Sequence, residues 1–584
     1  MKPILHEIWK NDRRGFLRIL ALNILSSLMA SVGIVMLVPM LGLLDIGADA
    51  DSTLGRLIAP LESIPHLQRS LLLVGIYLLL IVLKALLQRM LSLRETEFIE
   101  GYTLSLRNRL YRAVSDAGWE RLASYKRTDL INLFTAQCGQ VSGGISGVIH
   151  MLASAVSALM QLAVALWMSV PLTLLVMAVG GCFLWFFRPL MKKSRAYGEE
   201  LIAISRAFYS ELITQLGSIK EARTYGVQDE HAALFEKVSA AFMDAQMRFT
   251  RLRIRPQMFY SIGAAVLIAL VFLVSVVFLD MDTARLVVLV YVFARLWPLF
   301  SSWQGRMQSI LSAAPSLDKL NEALADMARD NAREEKAVAP LPFEKEIELR
   351  NVGFTYQGAQ EAVLHDVNFT LGRGEIVALV GRSGAGKTTL ADLLLGLLKP
   401  TVGEMRVDGT PLDEKNLRAW RKLIGYVPQE PLLMNASVRE NLARFHPGAT
   451  EEEMVEALKR SLAWPFVSAL PDGLDTLLGD QGVRLSGGER QRVVLARVLM
   501  GHPRFMILDE ATSALDYESE AMIRDAIHAL RGETTVVIIA HRLATIRAAD
   551  KAVVLEGGTI TESGPLQELL QSEDGYLGRM LLVE

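Results

Sequence analysis

The chain has 584 residues, 51% of them hydrophobic and 21% charged, with a formal net charge of -2. That length exceeds what one domain needs, the mixture suits a membrane half joined to a soluble half, and the near-neutral balance gives no case for whole-chain nucleic-acid binding. The two cysteines, Cys138 and Cys182, stand outside any CxxC or metal-type spacing and read as buried or membrane thiols.

The first half carries apolar runs at roughly 18–44, 70–92, 145–168, 171–188, 257–279 and 284–310, which are read as six membrane spans. The first follows Lys2, Lys10, Arg13 and Arg14. It is too long for a signal-peptide core and lacks an obvious cleavage site. Spans three and four are separated only by "SVPL", a tight hairpin that Pro171 helps to form. Lys and Arg crowd the segments 93–144 and 189–256, whereas 45–67, the hairpin and 279–284 are short, acidic or neutral. Both termini and the two long connections are therefore expected on the cytoplasmic side.

The charged stretch 326–346, "DMARDNAREEKAVAPLPFEKE", reads as a linker. It divides a membrane domain (1–325) from a soluble domain (347–584). The soluble part alternates short β-type runs with helical segments, the pattern of an α/β sheet domain.

Its chemistry is explicit. "EIVALVGRSGAGKTTLADLLLGLL" is strand, glycine loop, helix. The loop Gly381, Arg382, Ser383, Gly384, Ala385, Gly386, Lys387, Thr388 fits G-x-x-x-x-G-K-[ST], and Thr389 follows it. Backbone N–H groups of such a loop wrap phosphates at a helix N-terminus. Lys387 would reach the β- and γ-phosphates, and Thr388 would offer its hydroxyl to Mg²⁺. About 120 residues later "FMILDE" is an apolar strand ending in two acids. Asp509 suits Mg²⁺ coordination through water and Glu510 suits the general base. "LSGGERQR" opens a further helix, where Ser486, Gly487 and Gly488 present a second phosphate-binding surface.

With this signature the chain resembles the nucleotide-binding domains of ABC transporters. In that family LSGG completes the ATP site of the opposite subunit. The resemblance implies that Tyr356 in "FTYQG" stacks on adenine and that Gln429 in "YVPQEP" senses the γ-phosphate and Mg²⁺. It further implies that Asp516 in "SALD" is the D-loop aspartate and that His541 in "IIAHRL" contacts the γ-phosphate. None of the catalytic positions is degenerate, so two identical chains would build two competent sites. A homodimer is the economical reading, with a homologous half-transporter as the alternative partner.

Six spans fused to one such domain resemble the exporter half-transporter of the family, a type IV fold. The fold class is thus an all-α six-helix transmembrane domain followed by an α/β P-loop NTPase domain. Its place is the cell inner membrane, with the ATP-binding domain cytoplasmic. Coupling helices are expected near 119–132, where Thr128 replaces the family's usual glycine, and near 211–228, although both stretches also read as solvated helical faces. The implied activity is ATP-driven export or flipping by alternating access. An ATP-gated channel or transport regulator is the alternative, and a soluble nucleic-acid ATPase is disfavoured by the spans.

The cargo rests on basic residues. Lys84, Arg89, Arg253, Arg255 and Arg306 lie toward the inner ends of spans, where snorkelling accounts for them as well as a substrate path does. Arg295 lies about eleven residues into span six, roughly 16 Å deep at 1.5 Å per residue. The span cores contain no Asp or Glu. Such a charge either faces a wet cavity or bonds to backbone carbonyls beside Pro298. The first reading makes an amphipathic, anionic cargo the expectation: a lipid-linked glycan, glycolipid, peptide or drug. Lys84, Arg89, Arg295 and Arg306 are then candidate cavity residues.

Overall fold

The computed structural model describes residues 2–36, 65–186, 188–277, 283–331, 341–511, 516–540, 542–572 and 574–583. The chain forms two units. One comprises Met1–Asp116 and Tyr125–Met327, the other Ala117–Ser124 and Ala328–Glu584.

The first unit is helical. Its elements are α1 (Lys2–Val35), α2 (His66–Asp116), α4 (Arg127–Asn132), α5 (Cys138–Met168), α6 (Val170–Phe186), α7 (Arg188–Gly217), α8 (Ile219–Tyr225), α9 (Gln228–Val277) and α10 (Thr283–Asn331). Among the described residues, four stretches are long and apolar enough to cross a membrane: Leu5–Gly33, Leu67–Asp116, Arg127–Trp167 and Met258–Ser275. The expected fourth span corresponds to α6, only 17 residues long. The expected sixth lies in α10, whose apolarity is interrupted by Arg295 and Arg306. Positions 37–44 of the expected first span lie outside the described residues.

Helix α1 bends at Asp12 (φ -149°, ψ 82°), whose carboxylate accepts the Gly15 N–H at 2.8 Å and so starts the spanning segment as an N-cap. Two cores hold the unit together. Ile8, Phe16, Ile19, Leu106, Leu110, Ile145, Val148, Ile310 and Leu317 pack α1, α2, α5 and α10. Leu172, Val176, Tyr260, Leu267, Val271, Leu289, Val292, Phe293 and Trp297 pack α6, α9 and α10. Apolar faces that stay exposed, as along α2 from Leu67 to Leu86, are what a lipid-facing surface requires.

The second unit begins with α3 (Trp119–Ser124) and then takes up the chain again from Ala328. The expected coupling segment 119–132 is thus two short helices assigned to different units, broken at Tyr125–Lys126. A four-stranded antiparallel sheet has the order β2-β1-β4-β5, from β1 (Glu346–Phe354), β2 (Leu364–Gly372), β4 (Val402–Val407) and β5 (Thr410–Pro411). A six-stranded sheet has the order β10-β9-β3-β8-β7-β6. Its strands are β3 (Ile376–Val380), β6 (Ile424–Val427), β7 (Phe505–Asp509), β8 (Thr535–Ile539), β9 (Lys551–Glu556) and β10 (Thr559–Pro565). All pair in parallel except β10 with β9.

Strand β3 is buried along its whole length, as expected of a central parallel strand. Ile376, Ala378 and Val380 face one core, with the helix after the signature. Val377 and Leu379 face the other, with the first sheet and the helix after the P-loop. This alternation is the two-residue pleat. It fixes the ends of β3 and β7 side by side across β8, and both glycine loop and acids leave from those ends.

Candidate nucleotide site

The P-loop runs from the end of β3 into α11 (Lys387–Leu394). Its glycines are sterically required at two points. Gly381 has φ +154°, and a Cβ there would lie 2.2 Å from the Leu555 carbonyl oxygen; Gly386 has φ +101°, and a Cβ would lie 2.8 Å from Leu364. Lys387 is 7% exposed, and its Nζ donates to the Gly381 carbonyl at 2.8 Å and the Arg382 carbonyl at 3.1 Å. Burial pushes its ammonium pKa down, while Glu510 and Asp509 pull it back up. Both acids of "FMILDE" therefore act on the lysine.

Asp509 ends β7, and Glu510 follows in a left-handed conformation (φ 44°), uncommon for a residue with a side chain. Its N–H is held by the Ile539 carbonyl at 3.1 Å, which fixes the turn against β8. Gln429 Nε2 donates to Glu510 Oε2 at 2.7 Å. Tyr426 Oη donates to Asp509 Oδ2 at 3.2 Å, and burial first, then Asp509, raises the phenol pKa. On the other side of the loop Tyr356 Oη and Thr389 Oγ1 are 3.0 Å apart, and Phe354 meets the Tyr356 ring edge-on at 4.9 Å. The structure thus draws Tyr356, the P-loop, Gln429, Asp509 and Glu510 into one constellation. Thr388, Gln429 and Asp509 all offer oxygens, the donor type that Mg²⁺ takes beside phosphate.

The signature is built separately. Ser486 is the N-cap of α12 (Gly487–Leu499) in a capping box: its Oγ accepts the Glu489 N–H at 3.3 Å and Glu489 Oε2 accepts the Ser486 N–H at 2.8 Å. The hydroxyl accepts there, so its own proton remains available for donation. A Cβ on Gly488 would lie 2.2 Å from Ser519 Oγ, on α13 (Tyr517–His528). Asp516 occupies the extended N-cap position of α13. Positions 513–515 and His541 lie outside the described residues.

Sequence reasoning did not foresee the contacts of α3. Glu120 Oε1 accepts the Gln357 N–H at 2.6 Å, next to Tyr356. The carboxyl of Asp392 on α11 is pushed up to about 6 by burial and then by Asp509, with Trp119 acting the other way. The only foreshadowing signal was the acid itself, placed on the P-loop helix one turn past Thr388.

In the helical unit, Arg295 is half-buried with its guanidinium 5.3 Å from the Tyr291 ring centroid, a cation–π contact. Lys84 on α2 and Arg306 on α10 are half-buried, and Arg89 is exposed.

Comparison with known proteins agrees with this geometry. The family profile described as "ABC transporter" matches residues 364–513. The heterocyst differentiation ATP-binding protein HepA of Nostoc sp. is 33% identical over 486 residues, covering 81% of this chain and 78% of that protein. The putative multidrug export ATP-binding/permease protein YgaD of Bacillus subtilis is 31% identical, covering 74% and 75%. A bacterial Atm1-family ABC exporter with ATP bound superposes with a TM-score of 0.77 over 97% of this chain and 98% of its own, at 22% identity. The chain belongs to the ABC transporters, in the exporter form that carries membrane helices and ATP-binding domain on one polypeptide. It is a membrane protein that binds ATP and couples ATP hydrolysis to export.

Proposed function

We propose that two copies of this chain form a transporter of the inner membrane that moves an amphipathic anion outward or between leaflets by alternating access. The carrying observation is Arg295, a half-buried cation partway along α10 with its guanidinium 5.3 Å from the Tyr291 ring centroid. A charge held within a span faces a wet space, where an anion can meet it.

In this reading ATP lies between the P-loop of one chain and Ser486, Gly487 and Gly488 of the other. The loop N–H groups of 381–388 hold the phosphates, Lys387 turns from the loop carbonyls to the β- and γ-oxygens, and Tyr356 stacks on adenine. Thr388, Gln429 and Asp509 hold Mg²⁺, which supplies charge neutralisation on the phosphates. Glu510, oriented by Gln429, accepts the proton of the attacking water, and His541 and Asp516 complete the site. Helices α3 and α8 transmit closure to the membrane helices, α3 through Glu120 at Gln357 and Trp119 at Asp392. A second copy rather than a homologous half-transporter is preferred because the Walker, Q-loop and signature residues are all of competent type.

The test is substrate-stimulated ATPase in lipid nanodiscs. Anionic amphiphiles stimulate the wild type, and Arg295→Ala loses most of that stimulation. Equal stimulation of both proteins sinks the anionic reading. ATP-driven accumulation in inverted vesicles, rather than passive flux, separates a pump from an ATP-gated channel.

A further inference from the structure

Four helices of the membrane unit contribute to a second polar cluster, which includes Arg306. Asn23 of α1 is 8% exposed, and its Nδ2 donates to the Ile19 carbonyl and to Glu95 Oε1 of α2, each at 3.1 Å. Glu95 Oε2 lies 3.9 Å from Nδ1 of His150 on α5. Arg306 lies on α10, which passes this stretch of α5. Helices α5 and α10 approach closely just below: a Cβ on Gly147 would sit 3.1 Å from Ile310 and 3.4 Å from the Arg306 carbonyl oxygen.

The exposures give the cluster a direction. The Glu95 side chain is 10% exposed and the His150 side chain 36%, so the carboxylate lies behind and the imidazole in front. A buried carboxylate is costly unless a cation or donors meet it, and Asn23 and His150 are those groups. With Nδ1–H directed at Glu95, the imidazole presents Nε2 outward, one turn along α5 from Gly147, where the backbone of Arg306 packs closely. Ionisable groups within a helix bundle face its interior or a wet cavity, and Glu95 and His150 meet each other inside this one.

We infer that His150 and Arg306 form an anion-binding pair at the end of the spans that leads into the ATP-binding domain, with Glu95 and Asn23 as positioning residues behind the imidazole. The ligand is the phosphodiester or pyrophosphate of an amphipathic substrate, met before it reaches Lys84 and Arg295; the inference rests on the anionic reading above. An anion at Nε2 requires the doubly protonated imidazolium, so binding takes up a proton. The groups around the imidazole are Glu95 on α2, Arg306 on α10 and the neutral Asn23 on α1. The bound anion offsets the repulsion from Arg306, and affinity rises as pH falls.

The test uses dioctanoyl phosphatidylglycerol, whose charge is constant between pH 6 and 8, with uncharged dioctanoylglycerol and inorganic sulfate as comparison arms. The reading is the concentration that half-maximally stimulates ATPase in nanodiscs. In the wild type it falls from pH 8 to pH 6. His150→Gln raises it roughly tenfold at pH 6.5, the loss of one charge-assisted hydrogen bond, and removes its pH dependence. His150→Lys keeps a cation, holds the value near wild type and is flat with pH. Glu95→Gln weakens the pH dependence while the maximal rate is retained. An unchanged value in His150→Gln, with Arg295→Ala still impaired, overturns the pair and leaves the anionic reading standing. Equal potency of the uncharged lipid, or no stimulation of the wild type by the anionic one, overturns both. Sulfate acting at the same concentration as the lipid overturns the amphipathic ligand.

Discussion

The two units solve the problem of placing charge in opposite ways. In the ATP-binding unit the charged groups leave the ends of fully buried parallel strands, so Lys387, Asp509 and Glu510 are fixed by backbone that cannot shift without disturbing two cores. In the membrane unit a charge can sit partway along a helix and meet a partner from another helix, as Glu95 meets Asn23 across 72 positions. The first arrangement gives a site of constant geometry. The second makes the site depend on how helices lie against one another, which is what a transport cycle changes.

The sharpest way to test that contrast is to remove charge from each side. Glu510→Gln lowers ATP turnover by roughly 100-fold or more, the loss of a positioned general base. It retains ATP in a closed dimer, seen as trapped nucleotide after gel filtration. Rapid turnover in this variant removes Glu510 from the catalytic role. Arg295→Ala leaves ATP binding intact and removes the response to anionic amphiphiles. If it instead abolished unstimulated ATPase, the separation of the two units' roles would be wrong.

Next in size is a packing change. Gly488→Ala places a methyl against Ser519 Oγ and shifts the start of α12, with a cost of about 1–3 kcal/mol. Thermal unfolding reads it, and adding Ser519→Gly restores most of the loss. No rescue means that the glycine serves something other than this close approach.

A pH effect follows from Asp392. Its carboxyl, ordinarily near 3.8, is pushed up to about 6. The folded chain therefore holds that proton more tightly than the unfolded chain, and the group's contribution to stability falls as pH rises from about 4 to 6. Asp392→Asn removes this slope. Its melting temperature relative to wild type is higher at pH 7.5 than at pH 4.5, by a modest amount because solvent screens the site. The smallest effect is Tyr356→Phe. It keeps the ring and loses the bond to Thr389, about 1 kcal/mol, read as a few-fold change in KM for ATP.

The same contrast explains what could be read in advance. The P-loop, the strand ending at Asp509 and the helix start at Ser486 are local in sequence, and each folds as its residue types dictate. Tyr356 and Gln429 were identified by resemblance and Glu510 by its place at the strand end, and the structure brings all three to the P-loop. The Glu95–His150 contact was hidden because helical periodicity gives a face but not a neighbour. It was also hidden because apolarity ends span two near 92, while α2 runs on to Asp116 and buries Glu95 beyond that limit. Segment 119–132 read as one coupling segment, and no local signal separates α3 from α4 into different units.

Helix α10 carries Pro298 and Pro315 within one continuous element. Each proline removes a backbone hydrogen bond and lowers the helix's resistance to bending at that level. Arg306 lies between the two soft points, and Arg295 lies just beyond the first. Mechanically α10 is a jointed rod whose middle segment can swing without unwinding. A small rotation at Pro298, the joint between the two arginines, changes their separation, whereas one at Pro315 moves both together relative to the end of the helix.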